Sequence, residues 1–151
     1  RLQVVGVFDA GLTELLAKVL LHLGAQHCFV VHGMDGLDEM TVTDRTRVSE
    51  GKAGVVSSYA IDPSEFGLAR VRPKELVGGS AEENEAITRE IFRGRKGPKR
   101  DIVCLNAAPA LVAGRKAKTL QDGFELAQRT IDSGAAMEKL EQLIDFTKKA
   151  S

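Results

Sequence analysis

The feature that most constrains this chain is the pattern of its first thirty or so residues, roughly the span of one βαβ unit. Residues 3–8, Gln3-Val4-Val5-Gly6-Val7-Phe8, form a short β-branched run that suits a buried strand. After Gly11, Leu12, Leu15, Leu16, Val19, Leu20 and Leu23 recur at the spacing of one helix face. Gly24 then stands where a helix end wants a left-handed residue. A second apolar strand follows at residues 28–32. Strand, helix, strand in so short a span is the βαβ signature of a parallel sheet, so the fold class is α/β.

The rest of the chain extends that unit. Arg45-Thr46-Arg47-Val48 and residues 54–61 flank Glu50-Gly51-Lys52, which predicts a β-hairpin turning at that polar triplet. Pro63, Gly67 and Pro73 punctuate an irregular stretch. The second half is helical. Ser80 with Glu83 is a capping box, residues 101–113 are apolar with Pro109 expected to kink or break them, and Thr119 caps a helix stopped by Gly134. A last amphipathic helix carries Met137, Leu140, Leu143, Ile144 and Phe146. The expected architecture is one domain: a βαβ parallel sheet, a β-hairpin and a helical C-terminal half.

Charge narrows the partners. The 21 basic residues balance 21 acidic ones, so no global field draws in nucleic acid or an anionic membrane. No apolar run approaches the ~20 residues of a membrane span, and the N-terminus lacks the layout of a signal peptide. Cys28 and Cys104 sit in apolar sequence at a separation that fits no zinc or redox motif, as expected of reduced, buried thiols in a cytoplasmic protein.

The loop Gly33-Met34-Asp35-Gly36-Leu37-Asp38-Glu39 leaves the second strand at its C-terminal end, the edge of open α/β sheets where ligands collect. Asp38 and Glu39 are adjacent acids on a loop, which can aim both at one point. A pair of that kind suits Mg²⁺, which takes one or two carboxylates and completes its shell with water and phosphate oxygens. From spacing alone, an exposed acidic turn explains them as well. Asp35-Gly36 is a turn dipeptide. His32 reads as a packed or hydrogen-bonded residue, with His32 and Gly33 as candidate ligand contacts. His22 and His27 read as structural.

Seven stretches, in order and spacing, resemble the anthranilate phosphoribosyltransferase family. They are Val4-Val5-Gly6-Val7, His32-Gly33-Met34-Asp35-Gly36-Leu37-Asp38-Glu39, Phe66-Gly67-Leu68, Gly78-Gly79-Ser80-Ala81-Glu82-Glu83-Asn84, Lys96-Gly97-Pro98-Lys99-Arg100-Asp101, Leu105-Asn106-Ala107-Ala108 and Ile131-Asp132-Ser133-Gly134. The resemblance implies the nucleoside phosphorylase/phosphoribosyltransferase fold, in which a small helical domain joins a larger α/β domain. It implies transfer of the phosphoribosyl group of phosphoribosyl pyrophosphate to anthranilate, in tryptophan biosynthesis, with Mg²⁺ as cofactor and Asp38 and Glu39 as its ligands. It further implies that residues 1–151 are the C-terminal part of the α/β domain. The family's Gly-Thr-Gly-Gly-Asp and Lys-His-Gly-Asn segments, and most anthranilate contacts, are not in this sequence. The chain is therefore expected to hold part of the metal site and to be inactive alone, with the N-terminal half or a second copy as partner.

Two other stretches could bind anions. Gly78-Gly79-Ser80 opens a helix, but Glu82 and Glu83 would repel a phosphate, so capping is the better account. The segment from Arg93 to Arg100 holds five cations in eight residues without interleaved aromatics, and reads as a solvated connector rather than a nucleic-acid surface. A non-catalytic nucleic-acid- or protein-binding module of the same fold is the alternative to the enzyme. The acidic pair argues for the enzyme, and the missing pyrophosphate loop for the module. A nucleoside phosphorylase fits the C-terminal motifs less well.

Overall fold

In the computed structural model, which describes residues 1–149, strand β1 (Leu2–Gly6), helix α1 (Leu12–His22) and strand β2 (His27–Gly33) form the expected unit. β1 pairs with β2 in parallel, Gly6 opposite Val31. Strands β3 (Thr46–Lys52) and β4 (Val55–Ile61) add antiparallel in turn, giving a mixed sheet of order β1-β2-β3-β4. Helices α2 (Ala81–Phe92), α3 (Pro98–Ala113), α4 (Leu120–Asp132) and α5 (Ala135–Lys149) complete the chain.

Period-two alternation sorts β2 into two cores. Phe29 and Val31 face the main core with Val48, Ile61, Leu105, Phe124 and Ile131. Cys28 and Val30 face a smaller core under α1, with Val7 and Ala17. The two thiols lie in different cores and are free, and burial raises both above the usual thiol range. No helix among the described residues is long and apolar enough to cross a membrane.

Several boundaries differ from the sequence reading. β1 ends at Gly6, two residues before Phe8, which is 79% exposed. In α1 the residues closest to the sheet are Thr13 and Ala17, while Leu15, Val19 and Leu23 are exposed. Small side chains let the helix approach, and the Thr13 hydroxyl donates to the Ala10 carbonyl while accepting from Ser49. The hairpin turns at Ala53-Gly54, both with positive φ, rather than at Glu50-Gly51-Lys52. That triplet continues β3 because Glu50 faces the main core, where its carboxylate takes the His27 ring N–H at 2.6 Å and the Tyr59 hydroxyl at 3.2 Å. Burial, then Glu50, pushes the Tyr59 phenol up. α3 begins at Pro98 and runs unbroken through the buried Pro109.

The basic connector is corrected in one respect. Arg93 and Arg95 are exposed, but Arg100 is only 4% exposed. Its guanidinium reaches Asp132 at 2.8 Å and the carbonyls of Gly94 and Gln128 at 3.2 and 3.3 Å. It ties the start of α3 to the end of α4. The glycines before α2 are enclosed by capping groups: Ser80 and Glu83 close the box, and the Asn84 amide both accepts from Gly79 N–H and donates to its carbonyl, each at 3.0 Å.

Candidate functional site

The loop after β2 is held by its own residues before anything else touches it. The Gly33 N–H donates to the Leu37 carbonyl at 2.8 Å, and the Gly36 N–H to the Gly33 carbonyl at 2.8 Å. Asp35, which local turn chemistry explains only in part, organises the turn from inside. One carboxylate oxygen accepts the Leu37 N–H at 3.2 Å, and the other accepts the Thr41 hydroxyl at 2.6 Å and the Thr43 hydroxyl. Partial burial works against the charge, but these hydrogen bonds prevail and hold the Asp35 carboxyl below the usual range.

Two glycines let the loop sit close to the sheet. A Cβ on Gly6 would lie 1.5 Å from the Asp38 carbonyl oxygen, so only glycine at the end of β1 admits the Asp38 main chain. A Cβ on Gly33 would meet the Asp35 carboxylate at 2.5 Å and the Glu39 carbonyl at 3.1 Å. From the far side, Asn106 of α3 bonds the main chain of Met40 in both directions. Sequence periodicity gave no signal for Gly6, Thr41, Thr43 or Asn106. Gly6 and Asn106 stood within motifs, but their role needed the tertiary contact to appear.

The result is a pinned backbone carrying two free acids. Asp38 and Glu39 are exposed, and among the described residues neither carboxylate has a hydrogen-bond or ion-pair partner. Partial desolvation, then the charges of Asp38 and Asp35, push the Glu39 carboxyl up. Uncompensated negative charge at one point is relieved by a cation. The donor set fits Mg²⁺ in kind: hard oxygens, two adjacent carboxylates, and open solvent for the remaining ligands. Among the described residues no group of three or more His, Cys, Asp or Glu side chains forms a self-sufficient metal cage. A metal here would fill the rest of its shell with water, which a phosphate-bearing ligand could replace.

The other sequence candidates lie around this loop. His32 is buried, and its Nδ1–H donates to the Val7 carbonyl at 2.8 Å, tying β2 to the residue after β1. Gly33 opens the loop and presents backbone only. His27 lies at the opposite end of β2, near a cavity of about 430 Å³ lined by Phe29, Glu50, Tyr59, Phe66 and Lys118.

With this geometry in view, comparison with known proteins is informative. An anthranilate phosphoribosyltransferase of Acetivibrio thermocellus is 50% identical over 145 residues, covering 96% of this chain and 42% of that protein. One from Desulfosudis oleivorans is 54% identical over 147 residues, covering 97% and 43%. The crystal structure of the Thermus thermophilus anthranilate phosphoribosyltransferase matches with a TM-score of 0.85 at 38% identity, over 95% of this chain and 42% of that one. The Saccharomyces cerevisiae enzyme, in complex with PRPP and Mg, matches with a TM-score of 0.81 at 25% identity, over 95% and 42%. The chain thus spans little more than two fifths of the length of these relatives. The model of the "Glycosyl transferase family, a/b domain" matches residues 1–137, from β1 into α5, and the chain belongs to that family.

Proposed function

We propose that this chain carries the acidic arm of a Mg²⁺–pyrophosphate site in an anthranilate phosphoribosyltransferase, and that it is the C-terminal part of that enzyme's α/β domain. One observation carries the proposal: Asp38 and Glu39, two unpartnered carboxylates, project from a backbone fixed at the C-terminal end of a parallel strand pair. The sequence likeness to anthranilate phosphoribosyltransferases supports the choice of reaction.

In that reaction the amino group of anthranilate displaces pyrophosphate from the ribose of phosphoribosyl pyrophosphate. Mg²⁺ held by Asp38 and Glu39 would supply positive charge to the pyrophosphate oxygens as the leaving group departs. The part played by this chain's residues is placement. Adjacent carboxylates on a fixed loop present oxygens without reorganisation, and the hydrogen-bonded Asp35 keeps its charge directed into the turn. Anthranilate contacts and the pyrophosphate loop belong to the rest of the protein. Two buried, free thiols support a cytoplasmic, reducing setting.

The test follows the fall of anthranilate fluorescence with phosphoribosyl pyrophosphate and Mg²⁺ present. The chain is assayed alone and after mixing with the N-terminal half of a family member. Turnover only in the mixture, lost with Asp38→Ala and Glu39→Ala together, is the expected outcome. A folded, associated mixture without turnover overturns the proposal and turns attention to the basic segment before α3.

A further inference from the structure

Asn106 lies on α3, yet its side chain serves the acidic loop. Its amide oxygen accepts the Met40 N–H at 2.8 Å. Its amide nitrogen donates to the Met40 carbonyl at 2.7 Å and to the Ile102 carbonyl at 3.0 Å. One acceptor site and both donors are thereby used, and the bond to Ile102, one helical turn earlier, sets the orientation of the amide. The Met40 N–H belongs to the peptide plane that leaves Glu39, so the clamp fixes that plane directly. Met40 is fully buried, which leaves its main-chain groups no replacement partner in water. An apolar side chain of similar size could fill the space but would leave both groups unpaired. With Gly6 against the Asp38 carbonyl and Gly33 close under Glu39, the clamp is the third wall around the acidic pair.

We propose that Asn106 is a positioning residue for Asp38 and Glu39. Through the Met40 main chain it fixes where the two carboxylates point, and so sets the affinity of the loop for a divalent cation. The inference rests on the metal-site reading above. Positioning and simple electrostatics separate cleanly at this residue. Asn106→Asp keeps the shape and the acceptor for Met40 N–H but turns a second oxygen toward the Met40 and Ile102 carbonyls. It also adds negative charge beside the loop. A field effect alone would tighten cation binding, whereas loss of aim weakens it.

The experiment titrates Mn²⁺ into the ¹⁵N-labelled full chain and follows broadening of the Asp38 and Glu39 amides. The amides of Cys28 and Val30, in the core under α1, report the fold. Asn106→Ala and Asn106→Asp are each expected to raise the Mn²⁺ concentration for half-broadening about 10–100-fold, the usual cost of removing a group that orients a metal ligand. The Cys28 and Val30 amides stay in place. Wild-type Mn²⁺ response in both folded variants overturns the positioning role and leaves the metal site standing. Tighter binding by Asn106→Asp also overturns it. If the unsubstituted chain shows no selective broadening at Asp38 and Glu39, the metal reading fails and this inference with it. Should Asn106→Ala lose its dispersed spectrum, Asn106→Asp, matched in volume, carries the test.

Discussion

The glycine at the end of β1 shows how much one residue can decide. Gly6 has no positive φ to explain it, and its role is close approach: a methyl group there would overlap a carbonyl oxygen of the main chain, which no rotamer change relieves. Gly6→Ala is therefore expected to cost about 1–3 kcal/mol, as overpacking does, and to shift the Asp38 and Glu39 amides. Gly24, by contrast, ends α1 at φ +88° with open space around it. Gly24→Ala should cost roughly 1–2 kcal/mol through its left-handed backbone alone, without moving those amides. Chemical denaturation with amide shift mapping separates the two; equal shifts at Asp38 in both variants would contradict the assignment. At this scale the place of Asp38 and Glu39 on an exposed loop after β2 was legible, because residue type and position after a strand are local properties. Its supports were not. Asp35 meets hydroxyls six and eight residues on, and Asn106 acts across 66 residues, distances that no turn or helix pattern encodes.

Elements were legible where burial follows a period. Capping residues placed the starts of α2 and α4, and the βαβ unit appeared as expected. The pattern misled where a polar residue faces inward. Glu50 looked like a turn residue but pairs with His27 inside the sheet, and Arg100 looked like solvated charge but pins two helices. The Arg100–Asp132 pair gives an acid test. Its hydrogen bond holds the Asp132 carboxyl below the usual range, so the folded state releases that proton more readily than the unfolded chain does. The stabilisation is complete above the unfolded carboxyl value, about 3.9, and is lost as pH falls through the lower folded value. Asp132→Asn is expected to lower the melting temperature at pH 7, with the gap to the unsubstituted chain narrowing as pH falls below about 4. A gap that stays constant across that range would show that the pair contributes through packing rather than charge. Pro109 is tolerated without a visible break because α3 is held along its length by the main core, where Cys104, Leu105, Ala108 and Val112 are buried.

At the scale of the whole molecule, the sheet ends in an apolar edge. Among the described residues β1 pairs only with β2, and its outer side carries no strand. Leu2 and Val4 share a face with Phe29 by register, yet they remain 44% and 38% exposed. Phe8, just beyond the strand, and Val103 on α3 are exposed as well. Free strand edges with apolar side chains pair readily with another chain. The chain studied alone is therefore expected to dimerise or form larger assemblies, which light scattering across a concentration series would detect. A second exposed apolar set, Leu143 and Phe146 near the end of α5, offers a rival cause. The two are separable by charge. Val4→Lys with Phe8→Glu should return the chain to a monomer, because a charged edge resists strand addition. Leu143→Lys with Phe146→Glu should leave the assembly intact if the sheet edge drives it. The reverse result would move the interface to α5, and a monomer in the unsubstituted chain at every concentration would show that neither surface holds copies together.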